Sequence, residues 1–353
     1  MELKLKCKTI TPMFMAGADG KTPELRSSEF KGMMRWWWRA IKADDDIGKL
    51  RKEEAEIFGG TGEGEGKSKV RVIVKPGSID IGNDVREVIN DDPGLKYLYY
   101  STFSLRARGE PIIRKYYKPE SSFSLEIVSF DYYSFGKASA ALWASIYLGG
   151  FGTRARRGGG NLAVESAEPN NIKGIEFYCN ATSVDELEIW LKENLKIVIQ
   201  LCNANVGSLQ YTTLKNGKIL LFKPLRSWRD ALNVIGERFK NFRNNKEEEI
   251  FETPAFGMPV MHNRFSTRLV PYENRHERLS DRWASPVIFK VIKGKGENYF
   301  PVVIFLNPGG VNLIGREERV GNDWDNAKEI QKITFKILSS FRDYLKPTKE
   351  LTL

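Results

Sequence analysis

The chain opens on strict alternation. Leu3, Leu5, Cys7 and Thr9 are interleaved with Lys4, Lys6 and Lys8, the period of two expected of a half-buried strand. Thr11-Pro12 ends it, and a stretch punctuated by Gly17, Gly20 and Pro23 leads to a helical pattern. Ser27 or Ser28 suits the N-cap, and the helix should run to about Ala43, ahead of Asp44-Asp45-Asp46. A second helix is expected from Lys49 to Phe58, running into the glycine-rich Gly59 to Gly66. Val70, Val72 and Val74 alternate as a strand closed by Pro76-Gly77. Leu95 to Leu105 and Ser122 to Phe130 read as further strands. Ala138 to Leu148 reads as a small-residue helix and Leu162 to Val164 as extended chain. The order β-α-β-β-α-β, with embellishments, is that of a ferredoxin-like domain.

Pro169-Asn170-Asn171 marks a boundary and divides the chain into residues 1–168 and 169–353. Beyond it a strand is expected at Ile175 to Cys179, and helices at Val184 to Ile199 and Trp228 to Phe242. Two strong strands, Pro286 to Ile292 and Phe300 to Leu306, flank a turn at Lys293 to Gly296. A long helix, Asn326 to Leu345, closes the chain before Pro347. The fold class is α+β in two domains.

A length of 353 residues suits two domains. The 41% hydrophobic and 12% aromatic content excludes general disorder. A net charge of +10 favours a polyanionic partner over a neutral metabolite. Cys7, Cys179 and Cys202 lie far apart with no CxxC spacing, so neither a zinc site nor a disulfide framework is expected. The longest mostly apolar segment, Ala138 to Gly150, is too short to span a bilayer, and no signal-peptide run opens the chain. The expectation is a cytoplasmic protein with no membrane contact.

Projected at 100° per residue, Phe30, Met33, Met34, Trp37 and Ile41 form the core face of the first helix. Lys31, Arg35, Trp38, Arg39 and Lys42 form a second, basic arc. There Lys and Arg would meet phosphates and the Trp38 indole would stack on a base. The segment Gly149 to Gly160 holds six glycines and Arg154, Arg156 and Arg157, with no acidic residue. Glycines such as Gly158 and Gly159 let backbone N–H groups approach an anion, and arginine forks suit phosphate oxygens.

Gly66-Lys67-Ser68 resembles the end of a Walker A loop, but Thr61 stands where the first glycine belongs and a strand follows. That leaves Lys67 as a single phosphate-contacting cation. The dinucleotide-like run at Gly150 to Ala155 follows a helix rather than a strand, so no nucleotide cofactor or small-molecule substrate is expected. In the second domain, Arg264 and Arg282 belong to a basic loop leading into a strand. The two histidines, His262 and His276, have no metal-binding or triad company, so no metal and no catalytic residue is assigned. The alternative is a metal-independent endoribonuclease using one of them as general base.

Three N-terminal blocks carry a family resemblance: Thr11 to Ala18, Leu25-Arg26 through Lys31 to Ala40, and Glu56-Ile57-Phe58-Gly59-Gly60. With the loop at Gly149 to Gly160 and Arg282 to Pro286, they resemble the RAMP superfamily of CRISPR-associated proteins. More narrowly, the blocks are similar to the head subunits of type III-B (Cmr) effector complexes. Ser27-Ser28 stand where that family often has prolines. The resemblance implies two tandem ferredoxin-like, RRM-like domains with insertions. It also implies a non-catalytic subunit that binds guide RNA and target RNA near the guide's 3′ end, beside other RAMP subunits.

Overall fold

The protein is described by a computed structural model that covers residues 1–353 except 104–105, 108–109, 112, 206–210, 246–251, 263–266, 273–281, 311–312 and 320–329. The N-terminal unit comprises β1 (Glu2–Thr9), α1 (Ser27–Lys42), α2 (Ile47–Phe58), β2 (Val70–Pro76), α3 (Pro93–Tyr99), β3 (Ser122–Ser129), α4 (Tyr132–Tyr147) and β4 (Leu162–Glu168). Its sheet has the order β2-β3-β1-β4, with β1 antiparallel to both neighbours. This is the ferredoxin-like arrangement. The β1 alternation is realised as read, with Leu3, Leu5 and Cys7 buried and Lys4 and Lys6 exposed.

Helix α5 (Val184–Leu201) follows and packs against α4. A second unit then repeats the topology through β5 (Thr213–Leu221), α6 (Trp228–Asn244), β6 (Val287–Lys293), β7 (Tyr299–Asn307), α7 (Lys336–Leu345) and β8 (Lys349–Thr352). Its sheet order is β6-β7-β5-β8. The boundary read at 168/169 falls at the end of β4. The elements between it and β5 share the N-terminal core through Ile172, Ile175, Leu187 and Leu191.

The two units are stacked rather than strung apart. One core runs from the N-terminal sheet (Leu3, Leu5, Leu125) through α1, α4 and α5 to Ile219, Leu221, Ile288 and Ile304 on one face of the second sheet. The other face, with Leu220, Phe289 and Val303, is covered by α6 and α7, and by α3 reaching across from the N-terminal unit. The layers run sheet, helices, sheet, helices. Strands β6 and β7 are therefore buried on both faces, which is why they read as near-continuous apolar runs, broken in β6 only by Lys290 before its closing Lys293.

Several expectations are corrected. The described part of Leu95 to Leu105 is not a strand: Pro93 starts α3, whose Leu95, Leu98 and Tyr99 are buried beside Leu232 and Ile235 of α6. A Cβ on Gly94 would sit 2.1 Å from Asn233 O, so the two helices cross at near backbone contact. The closing helix begins at Lys336, because Ile330–Lys332 pairs as a strand with Ile314–Arg319 in an inserted sheet of the second unit. Helix α1 is preceded by Arg26 with no side-chain cap, so neither Ser27 nor Ser28 serves that role. Strands β5 and β8 lacked a readable pattern. All three cysteines are free and buried.

Candidate nucleic-acid interface

The glycine–arginine loop joins α4 to β4 and is clamped between the two units. Its positive-φ glycines are dictated by contact. Gly160 has φ +61, and a Cβ there would lie 2.0 Å from Phe151 O; Gly158 has φ +81 and abuts Leu232. Arg154 Nε donates to Leu98 O at 2.7 Å, with its guanidinium 5.3 Å from the Tyr100 ring. Arg156 donates to Ser285 O and lies 4.8 Å over the Trp36 ring of α1. Arg157 donates to Phe256 O at 2.7 Å, Val287 O at 3.1 Å and Ser285 Oγ at 3.2 Å, flanked by Phe239 and Phe289. Burial lowers the pKa of Arg156 to about 10. Burial, reinforced by Arg154 and Arg243, lowers that of Arg157 to about 9. Both remain cations at neutral pH. Arg282, exposed in the segment that leads into β6, adds its charge to the field on Arg154.

This changes what the loop does. Its guanidinium heads are engaged with protein carbonyls and rings. Its amides are engaged too: Gly159 N–H donates to Arg154 O at 3.0 Å and Gly160 N–H to Pro12 O at 2.9 Å. Gly158 and Gly159 are buried, and Gly158 O accepts from the Tyr99 hydroxyl at 3.0 Å. The expectation that these two glycines cradle an anion is therefore corrected: backbone and side chain at this site close a domain junction.

Trp38 is corrected as well. Its exposure is 0%, because α1 lies between two sheets and buries more than one face, so its indole cannot stack on a base. Trp36, half-buried, is the ring that meets the loop, and Phe30 contacts Phe151 with centroids 4.6 Å apart. The first helix and the loop meet through aromatic side chains.

The basic arc of α1 faces α2. Arg35 Nε donates to Glu54 Oε1 at 2.5 Å and its terminal nitrogen to Gly59 O at 3.0 Å, while Arg39 reaches Glu54 Oε2 at 2.6 Å. One buried carboxylate thus serves two guanidiniums that remain 36% and 37% exposed. Lys31 Nζ lies 3.5 Å from Val70 O, its pKa lowered by burial and by Arg35. Lys67 is exposed just before β2. Arg26 pairs with Glu29 at 2.7 Å. Lys42 is buried, its Nζ 3.1 Å from Asn203 O and 3.4 Å from Glu53. With Glu54 counted, Lys31, Arg35 and Arg39 leave the arc net positive.

Two residues the sequence reading passed over matter here. Glu54 sits among the charges of α2, where only its three- and four-residue spacing from Leu50, Ile57 and Phe58 marks an inward face. Lys290 interrupts the apolar run of β6, a signal in plain view. It is buried, its Nζ donates to Gly149 O at 2.7 Å, and burial lowers its pKa to about 7.

Arg264 and His276 lie outside the described residues, and His262 ends a short strand, Val260–His262. Among the described residues no group of His, Cys, Asp or Glu is arranged to hold a metal, and no helix is long and apolar enough to cross a membrane.

The family model of the RAMP superfamily matches residues 6–163. CRISPR system Cmr subunit Cmr1-1 of Pyrococcus furiosus is 29% identical over 292 residues, 80% of this chain and 81% of that protein. Cmr subunit Cmr1-2 of the same organism is 37% identical over 175 residues, 45% of this chain and 92% of that protein. The crystal structure of apo Cmr1 from P. furiosus superposes with a TM-score of 0.68 at 22% identity, covering 100% of this chain and 98% of that one. A chain of the cryo-EM structure of type III-B Cmr-beta bound to cognate target RNA superposes with a TM-score of 0.57 at 14% identity, covering 98% of each chain.

Proposed function

The chain belongs to the RAMP superfamily, among its Cmr1 subunits, and from that premise we propose that it is a non-catalytic RNA-binding subunit of a type III-B effector complex. In this reading it contacts guide RNA and target RNA near the guide's 3′ end and sits beside other RAMP subunits in the cytoplasm. The reading is carried by the net-positive arc of α1. There Lys31, Arg35 and Arg39 share one face of the helix and Glu54 offsets only one charge, with Lys67 exposed just before β2. Such a surface holds a sugar–phosphate strand through charge-assisted contacts, with little dependence on sequence. Arg154, Arg156 and Arg282 extend the positive field along the domain junction, and Arg157 positions the loop that carries Arg154 and Arg156.

The test is a salt titration of single-stranded RNA binding. A Lys31→Ala, Lys67→Ala, Arg282→Ala variant should bind more weakly across sequences. It should flatten log K against log salt by about 0.7 for each phosphate no longer neutralised. An unchanged affinity and slope removes this surface from the interface. Guide-repeat RNA incubated with the protein in chelator should stay intact. Specific cleavage abolished by His262→Ala or His276→Ala would instead establish the endoribonuclease reading.

A further inference from the structure

Between β3 and α4 the chain turns through Phe130, Asp131, Tyr132 and Tyr133, and its three aromatic side chains stand in solvent. Phe130 is 100% exposed, Tyr133 75% and Tyr132 59%. The corner beneath them is tied down. Ser129 Oγ donates to Lys69 O at 2.8 Å and accepts from the Asp131 N–H at 3.1 Å, and the Asp131 carboxylate accepts from Ser134 N–H at 2.7 Å. Lys173 Nζ sits 3.2 Å from the Tyr132 ring centroid and donates to Tyr132 O at 2.8 Å. Tyr133 meets that ring edge-on, with centroids 5.9 Å apart and planes at 85°. Single exposed apolar residues are ordinary, but a cluster of exposed rings on a fixed corner marks a contact surface.

The charges around the corner choose the partner. Lys69 and Lys137 both act on Asp131, and Lys173 covers Tyr132, so three cations surround one carboxylate already used as a helix cap. Lys137 follows Tyr133 by four residues on α4 and therefore shares its face. The patch is also continuous with the basic arc, because Val70 pairs with Ser129 and its carbonyl lies against Lys31 Nζ. Rings interleaved with cations fit a single-stranded nucleic acid, whose bases offer π-faces and whose backbone offers phosphates. An apolar protein surface would leave the lysines without counter-charge.

We propose that Phe130, Tyr132 and Tyr133 form a stacking platform for unpaired bases of RNA whose phosphates run along Lys69, Lys137 and Lys173. The inference rests on the RNA-binding reading above and extends it to residues with no role there. It is tested with the full-length protein and an unstructured oligouridine. Phe130→Ala with Tyr133→Ala should weaken binding about tenfold or more while the salt slope stays the same, since stacking releases no counterions. Phe130→Trp should retain affinity and Phe130→Leu should not. The thermal midpoint of the double variant should not move, because both side chains stand in solvent. Ultraviolet crosslinks should map to residues 130–133. Wild-type affinity in the double variant, with weakened binding in the lysine–arginine variant, overturns the platform and leaves the RNA reading standing. Unchanged RNA affinity with failed assembly onto neighbouring Cmr subunits overturns it in favour of a protein contact. Full affinity in both variant sets overturns both readings.

Discussion

Lys290 shows how one side chain can report on burial. Its ammonium is enclosed between the second sheet and the N-terminal helices, with Gly149 O as acceptor and its pKa lowered from the ordinary 10.5 to about 7. The unfolded chain holds a proton that the folded one releases between those values, so stability rises with pH across that window. Wild-type protein should gain stability relative to Lys290→Met from pH 7 toward pH 10, approaching about 1.4 kcal/mol per pH unit. Urea midpoints for the two proteins that run parallel with pH would show that the lysine is not so enclosed. Glu54 is the opposite case, a buried anion holding two cations. Glu54→Gln should lower stability by about 1 kcal/mol, because two charge-assisted bonds become neutral ones. It should also raise RNA affinity at low salt, since Arg35 and Arg39 are left uncompensated; a filter-binding assay reads the sign. Neither role shows in residue type alone, because each depends on what faces the side chain across the chain.

At the scale of elements, the glycine–arginine loop combines legible chemistry with an illegible destination. Its glycine content announces positive φ and close approach, and Gly152, Gly158 and Gly160 have positive φ. Its arginines announce multidentate recognition, and Arg157 provides it toward Phe256 O, Val287 O and Ser285 Oγ. A phosphate and a set of carbonyls ask for the same donors, so composition cannot separate them. Arg157→Lys should destabilise the protein by about 3 kcal/mol, because a point-like ammonium cannot serve several acceptors held in a fork's geometry. Hydrogen exchange at the Phe289 N–H, which donates to Arg156 O at 3.2 Å, should accelerate in that variant. Unaltered protection there would mean the loop docks without Arg157. Helix α3 departs from its expected strand for a similar reason: its tyrosines favour a strand locally, and the docking on α6 that makes it a helix lies over a hundred residues away.

For the whole molecule, the stacked layers imply one folding unit. Both faces of the second sheet are covered, one of them by α1, α4 and α5 of the N-terminal unit. Residues 169–353 made alone should therefore expose a broad apolar sheet and aggregate, while the intact chain should unfold in a single calorimetric transition. A soluble, cooperatively folded fragment would show that the units are independent. The sequence by itself determined two α+β halves, the amphipathic first strand and helix, the double-sided apolar strands β6 and β7, and a net charge of +10. These are properties of local periodicity and net charge, which need no partner to be read. Tertiary structure alone decided that Trp38 is core, that the loop arginines close the domain junction, that Glu54 neutralises part of the basic arc, and that Phe130, Tyr132 and Tyr133 point into water. Each of these turns on which distant surface a side chain meets, and a helix enclosed on several sides buries residues that a single-face projection assigns to solvent.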